Sequence, residues 1–292
     1  MPRYVADLAL LAAAAAWGLT FPLGKIVLSV LPPFTYLAAR FTLAAVVLGM
    51  ARPRAVTPRR DWLAAGAVGV VLFVAYALQT LGLRLTTASN AAFITGLSLV
   101  MVPLISAAWL RRAPNPHVLA GVVAATVGLG LLTIKDTPGV RLGDLLVLGC
   151  AVGFAFHIVL VGRLAPRLHP TTLTAAQLAP AAALSMLAAV AERPIDALAG
   201  AGLGVWGIVA FMALTATAGA FLIQAWAQRF TSASHVGLMF TFEPVAAAVA
   251  AHVLLGEALT GPQAGGAALI LAGIAAAELK QDTADERREE RR

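Results

Sequence analysis

Long apolar segments alternate with short polar gaps along most of the chain. A helix needs roughly 17 to 25 mostly apolar residues to cross the hydrocarbon core of a bilayer. Ten segments meet that requirement: Val5–Gly24, Phe34–Ala51, Trp62–Leu83, Ala88–Leu110, Val118–Ile134, Leu142–Val161, Thr171–Ala191, Leu203–Ala227, Ser234–Leu255 and Pro262–Leu279. The pattern predicts an all-α integral membrane protein with ten transmembrane helices.

Composition and charge agree with a membrane location. Hydrophobic residues make up 60% of the chain and charged residues only 12%, about half the charged share of a soluble domain. The net charge of +7 does not indicate a nucleic-acid partner, because the basic residues lie in the gaps between apolar segments, where they set topology.

The basic residues predict the orientation of the chain. With a cytoplasmic N-terminus, 15 of the 21 Lys and Arg residues face the cytoplasm and Arg40 lies within a segment. The five on the outer side are Lys25, Arg84, Lys135, Arg141 and Arg193. The positive-inside rule therefore predicts a multi-pass protein of a bacterial-type inner (plasma) membrane with both termini cytoplasmic.

An internal repeat divides the chain into two halves. With a shift of 145 residues, Gln79, Arg84, Thr86 and Ser89 align with Gln224, Arg229, Thr231 and Ser234. With a shift of 137, Asp7, Pro33 and Arg40 align with Asp144, Pro170 and Gln177. The Ala-rich first segment after Arg3 resembles a signal peptide, but because it has a counterpart in the second half we expect it to be retained.

The repeat predicts two inverted five-helix units. Residues 1–137 form the first, residues 138–280 the second, and residues 281–292 a charged cytoplasmic tail without an apolar face, which we expect to be disordered. Because five is odd, the second unit enters the membrane from the opposite side. Inverted repeats are typical of secondary transporters, which bind substrate near the midplane between the repeats.

Several strings are typical of one family. Trp17-Gly18, Arg40-Phe41 and Thr87-Ala88-Ser89 lie in the first half, and Phe242-Glu243-Pro244 precedes Leu255-Gly256-Glu257-Ala258-Leu259-Thr260 in the second. With these strings the chain, from Ala6 to Leu279, resembles the EamA-type ten-helix exporters of the drug/metabolite transporter (DMT) superfamily. The resemblance implies export of small solutes from the cytoplasm, and the aromatic amino-acid exporters are one attractive branch.

Glu243 and Pro244 are the sharpest candidates for chemistry. A carboxyl inside a membrane segment either stays protonated or finds a partner. Pro244 cannot donate a backbone hydrogen bond and frees the carbonyl of Phe240, which predicts a kink. A carboxyl at a kink can gate, bind an amino group or carry a proton; a structural hydrogen bond to a neighbouring helix is the alternative.

Other polar and aromatic side chains predict a substrate cavity. Polar groups inside membrane helices usually face the protein interior or a water-filled path, and rings beside a few polar groups suit a flat, mostly apolar solute. The predicted cavity comprises Trp17, Thr20, Tyr76, Gln79, His157, Gln224, Phe240 and Glu243. Simple packing or interhelical hydrogen bonding is the alternative for each. Arg40 and its counterpart Gln177 are interpreted as structural polar residues, although Arg40 also suits a carboxylate substrate.

The leading functional hypothesis is a secondary active transporter that exports small metabolites by alternating access. Amino acids, aromatic or otherwise neutral, are the first candidates; a multidrug, toxic-compound or nucleotide-sugar-type transporter of the same fold is the alternative. An integral-membrane enzyme is a more distant alternative, because the polar residues in the apolar segments are too sparse and scattered to form a catalytic cluster. The sequence predicts no cofactor and no metal, with small molecules and membrane lipid as partners and a monomer or weak homodimer as the assembly.

Overall fold

The computed structural model of the chain describes residues 3–51, 57–110, 142–193 and 195–258, with isolated positions at 120–127 and 261–272. In this part of the chain, eight helices are long and apolar enough to cross a membrane. They are α1 (Arg3–Leu28), α2 (Pro33–Ala51), α3 (Arg59–Leu85), α4 (Ala88–Leu110), α5 (Leu142–Leu164), α6 (Pro170–Val190), α8 (Leu203–Ala227) and α9 (Ala233–Leu255).

These eight helices coincide with eight of the ten predicted segments. The bounds of α4 and α8 are the predicted ones, whereas α1 and α3 are longer at both ends. Lys25 and Arg84, expected in outer gaps, therefore lie in the last turns of α1 and α3. The predicted segments Val118–Ile134 and Pro262–Leu279 and the tail 281–292 lie outside the continuously described residues.

Three features depart from simple spanning helices; the first two were not predicted, and the third lies where Pro244 predicts a kink. A short helix, α7 (Ile195–Gly200), precedes α8. The middle of α8 forms a π-helical turn at Leu214–Gly219, a feature frequent at functional sites. Helix α9 is interrupted at Thr241 between Ala233–Phe240 and Phe242–Leu255, next to the carbonyl that Pro244 leaves without its partner.

The two halves pack on each other in a reciprocal way. Helix α1 packs on α8 and α9 of the second half, and α5, the first helix of that half, packs on α3 and α4. Helices α2 and α6 pack together. In addition, α2 touches α8 of the second half and α6 touches α3 of the first half. The core runs through the middle of this bundle, while large apolar side chains such as Met50, Leu187 and Leu203 face outward, as lipid contact requires.

Candidate functional site

A small cavity lies at the centre of the bundle, between the two halves. It is lined by α1, α3 and α4 of the first half and α5, α8 and α9 of the second: Trp17, Thr20, Tyr76, Gln79, Thr95, Ser98, Leu99, Phe154, His157, Ile158, Phe221, Gln224, Phe240 and Glu243. Its free volume is about 30 Å³, room for one or two water molecules. A drug-sized ligand needs roughly 300–1,000 Å³, so the cavity is too small for one in this conformation.

All eight residues predicted from the sequence to line a cavity line this one. The repeat-related pair Gln79 and Gln224, separated by 145 residues in the chain, both line it. Sequence reasoning left out the other six lining residues: Thr95, Ser98, Leu99, Phe154, Ile158 and Phe221. Small hydroxyl and phenylalanine side chains occur throughout apolar segments, so residue type alone does not mark them as cavity residues. Phe221 is three residues from Gln224 and shares its helix face, which makes it the easiest of the missed residues to find from the sequence.

Aromatic side chains form a continuous wall of the cavity. The Trp17 ring lies edge-on to Phe240 with centroids 4.7 Å apart and contacts Phe221 at 5.3 Å. Tyr76 lies 6.2 Å from Phe221 and 5.0 Å from Phe154. Such edge-to-face pairs are favourable and hold each ring in one orientation. The wall fixes the shape of the cavity and presents flat apolar surfaces to whatever occupies it.

Glu243 is placed in the cavity by the interruption of α9 and by a close approach of α1. A Cβ added at Gly18 would lie 2.7 Å from the carbonyl oxygen of Glu243 and from the backbone nitrogen of Ala247, so only glycine lets the two helices approach this closely. The Glu243 side chain is partly buried and lines the cavity. Within the described residues it makes no hydrogen bond or ion pair with protein.

A chain of amides orients Gln224. The Gln228 Nε2 donates to the carbonyl oxygen of Ile158 at 2.9 Å, and the Gln228 Oε1 accepts from Gln224 Nε2 at 3.2 Å. Because the amide nitrogen of Gln224 is used in this way, its Oε1 is left as an acceptor, and that oxygen has no hydrogen-bond partner among the described residues. Gln79, the repeat counterpart of Gln224, donates from Nε2 to the Thr95 hydroxyl at 3.3 Å.

His157 is tied to the predicted structural residue Gln177. Its Nε2 lies 2.6 Å from Gln177 Oε1, and because an amide oxygen only accepts, Nε2 is the donor. The imidazole also stands edge-on to Phe221, with centroids 5.4 Å apart. Both contacts fix the ring at the edge of the cavity, and Gln177 itself is buried outside the lining.

Arg40 is buried beside the cavity but does not line it. Its Nε donates to the Thr217 hydroxyl at 2.6 Å, NH1 to the Tyr36 hydroxyl at 2.9 Å, and NH2 to the carbonyl oxygen of Ala216 at 3.4 Å. The guanidinium also lies 5.1 Å from the centre of the Tyr76 ring. Its donors are thus engaged by α2 and by the π-helical turn of α8, in keeping with a structural role.

Each half of the chain matches the same protein family. The description of that family is EamA-like transporter family, and the matches cover residues 5–134 and 141–277. The chain belongs to the EamA-like transporter family.

Relatives support a transporter as the general class. The chain is 31% identical to an uncharacterized transporter of Archaeoglobus fulgidus over 278 residues, 95% of this chain and 87% of the relative. It is 26% identical to the uncharacterized transporter YyaM of Bacillus subtilis, with 88% of each chain covered. A protein crystal structure with 24% identity, covering 95% of this chain and 98% of that one, superposes with a TM-score of 0.77, which shows the fold.

Two strings typical of EamA-like chains meet at one end of this bundle. Gly256 has a φ of 66° and ends α9, its N–H donating back to the carbonyls of Ala251 and His252. This left-handed turn, which favours glycine, brings the carboxylate of Glu257 to the hydroxyl of Ser89 at the start of α4. Next to them, the Thr86 hydroxyl donates to Asp144 of α5 at 2.7 Å.

A different polar contact lies at the opposite end of this EamA-like bundle. Asp7 Oδ1, near the start of α1, is 2.8 Å from His235 Nε2, near the start of α9. Ser232 caps α9 there by accepting from the backbone nitrogen of His235. The cavity thus lies between two ends, each held by polar contacts between helices of opposite halves, and sequence reasoning predicted neither contact.

Proposed function

We propose that this protein is a secondary active transporter that exports small metabolites from the cytoplasm by alternating access. Amino acids, aromatic or otherwise neutral, are the first candidate substrates, and drug-like toxic compounds or nucleotide sugars are the alternative. The proposal adds direction, mechanism and substrate to the class that the family gives, and it makes an enzymatic role the distant alternative.

The observation that carries the proposal is one central cavity with walls from both halves of the chain. Residues singled out because they are polar or aromatic inside apolar segments line it together. A site between two halves is what alternating access requires, because rocking one half against the other exposes it to each side in turn. The small volume corresponds in this mechanism to a state in which substrate has not opened the site.

An inverted repeat is part of the proposal. The two family matches, 5–134 and 141–277, and the reciprocal packing of α1 and α5 support two units at residues 1–137 and 138–280, followed by the tail 281–292. With the charge distribution of the sequence, this gives an inner-membrane protein with both termini cytoplasmic. Because one chain supplies every wall of the cavity, a monomer holds a complete site, and a homodimer would be weak.

The moving parts in this proposal are the interrupted helices. Helix α9 has its break at Thr241, beside Glu243 and Pro244, and α8 has its π-helical turn at Leu214–Gly219. Such irregularities lack part of the regular i to i−4 bonding and bend more readily than an uninterrupted helix. Glu243 acts at this kink either as a proton carrier or as the ligand of a substrate amino group.

Counterflow in proteoliposomes tests the function. Vesicles are preloaded with phenylalanine, threonine or a nucleotide sugar, and uptake of the matching labelled solute is followed. We expect accelerated exchange of phenylalanine that is lost in Trp17→Ala and in Tyr76→Ala. Trp109→Ala is the matched control, because Trp109 lies outside the cavity and is 44% exposed. If folded protein accelerates the exchange of none of the three solutes, amino-acid export is rejected.

The same assay separates the two roles of Glu243. If Glu243 carries a proton, Glu243→Gln abolishes pH-driven export and spares counterflow, because counterflow needs no net proton movement. Equal loss of both activities would reject the proton role and assign the carboxyl to substrate binding.

A further inference from the structure

We infer that the cavity recognises a protonated amine attached to a flat apolar body, and that a carboxylate on the substrate is dispensable. This inference rests on the proposed function, since it names the chemical group by which that transporter selects its substrate. It follows from the balance of charges, of hydrogen-bond acceptors and of aromatic surface on the cavity lining.

The described lining offers a carboxyl group but no lysine or arginine. Glu243 is an acid, and none of the fourteen lining residues is Lys or Arg. The nearby Arg40 has its donors engaged by Thr217, Tyr36 and Ala216. A substrate carboxylate or phosphate would thus enter beside a carboxyl without a cation to receive it, which is costly in a low-dielectric site. Nucleotide sugars fit this lining worst.

Acceptors without partners complement an ammonium group. Glu243 makes no hydrogen bond to described protein groups, and the Oε1 of Gln224 has no partner there either. The amide of Gln224 cannot turn to offer its nitrogen without losing the bond to Gln228, which is itself anchored on Ile158. An ammonium carries three donors and no acceptor, so it can satisfy both groups at once, whereas a hydroxyl supplies a single donor and a carboxylate supplies none.

The aromatic wall suits the rest of such a substrate. Trp17, Tyr76, Phe154, Phe221 and Phe240 supply ring faces and edges around the cavity. Ring faces attract a cation within about 6 Å of their centres, most strongly when water is excluded, and they pack against a flat apolar body. The positive charge supplied by the ligand also stabilises the ionised form of Glu243, so binding and charge pairing reinforce each other.

A panel of matched phenyl compounds tests the inference. Phenethylamine is a cation, phenylalanine a zwitterion, 3-phenylpropionate an anion and 2-phenylethanol neutral, and the aromatic body is nearly constant. Each is tested as an inhibitor of labelled phenethylamine counterflow and as a stabiliser of the purified protein against heat. We expect phenethylamine to exchange and to stabilise at least as well as phenylalanine, and 3-phenylpropionate and 2-phenylethanol to do neither.

Variants link the effect to the named acceptors. Glu243→Gln should weaken phenethylamine binding about tenfold or more, as expected for a hydrogen bond to a charged group, with loss of counterflow. Gln224→Leu should weaken it by a smaller factor. Asp196→Asn, an exposed acid on α7, is the control and should change neither readout.

The outcomes for the inference and for the function are distinct. Exchange of phenylalanine without exchange of phenethylamine, or inhibition by 3-phenylpropionate equal to that by unlabelled phenethylamine, overturns the amine inference and leaves the transporter standing. Stabilisation by phenethylamine that requires Glu243, without exchange of any solute, overturns the transport function and supports the inference. Absence of both exchange and stabilisation by phenethylamine in folded wild-type protein overturns the inference.

Discussion

Two helix contacts occupy equivalent places in the proposed repeat but are built differently. One joins α2 to α8 around Arg40, and the other joins α6 to α3 around Gln177. At the first, a long charged side chain reaches into a π-helical turn and donates to Thr217 and the carbonyl of Ala216. At the second, α3 and α6 contain no π-helical turn, although α6 has Pro180 in its interior, and Gly69 of α3 touches the backbone of Gln177.

The difference shows how one side chain sets the packing of a helix pair. Among the described residues the buried guanidinium of Arg40 has no carboxylate partner and needs neutral oxygens as acceptors. The widened π-helical turn offers the carbonyl of Ala216, which also accepts from Trp17 Nε1 at 2.6 Å. An amide needs fewer partners, since Gln177 Oε1 bonds only His157. The smaller side chain therefore leaves room for direct backbone contact. The repeat-related positions Arg40 and Gln177 thus lie against different structures: a π-helical turn of α8 at the first, and a closely packed contact of α3 with α6 at the second.

The largest expected effect comes from filling the tight contact. In Gly69→Ala, the new Cβ would lie inside contact distance of the Gln177 backbone, which forces α3 and α6 apart. Overpacking costs about 1–3 kcal/mol, and a rigid backbone neighbour puts this case at the upper end. The apparent melting temperature of purified protein should fall clearly.

Gly66→Ala is the matched control on the same helix. The nearest atom to its Cβ would be Pro180 Cγ at 3.9 Å, so the substitution should be neutral or stabilise by up to about 1 kcal/mol through helix propensity. Equal destabilisation by both alanines would show that the tight contact at Gln177 has no special weight.

An intermediate effect is expected when Arg40 loses an acceptor. Thr217→Val keeps the shape of the side chain but removes the hydroxyl that accepts from Arg40 Nε. Hydrogen bonds to charged groups contribute about 1.5–3 kcal/mol, so the melting temperature should drop. Thr215→Val, two residues earlier in the same π-helical turn, is the control. The exposed hydroxyl of Thr215 donates to the carbonyl of Phe211 in its own helix. A Thr217→Val protein as stable as Thr215→Val would contradict the anchoring of Arg40.

The smallest effect is expected on the amide side. Gln177→Leu removes the bond to His157 Nε2, worth about 0.5–1.5 kcal/mol for neutral groups. The loss is partly offset because Gln177 Nε2 has no partner among the described residues. Ser185→Ala on the same helix, whose hydroxyl bonds only the carbonyl of Ala181, is the control. A larger loss for Gln177→Leu than for Thr217→Val would reverse the comparison.

Much of this organisation was predictable from the sequence because the bilayer restricts the choices. Apolar length places the spanning helices, and the predicted bounds of α4 and α8 coincide with the structure. Polar residues in apolar segments face inward, which is why Gln79, His157, Gln224 and Glu243 all reach the cavity. A polar group facing lipid would cost too much.

Other features had no local signal. The π-helical turn of α8 accepts a hydrogen bond from Arg40, which is 176 residues from Ala216 along the chain. The contact of Asp7 with His235 joins residues 228 apart, and each residue by itself reads as an ordinary group near a helix end. Thr95, Ser98 and Phe154 are indistinguishable in sequence from packing residues.

The sequence by itself determined that this chain spans the membrane many times, that its halves are related, and which few side chains are too polar to face lipid. Those properties follow from transfer free energies, which each segment carries alone. The tertiary structure decided which of the polar side chains share one cavity, which acceptors have no hydrogen-bond partner among the described residues, and that Arg40 makes hydrogen bonds there while the Glu243 side chain does not. Those properties depend on distances between helices far apart in the chain, and only packing sets these distances.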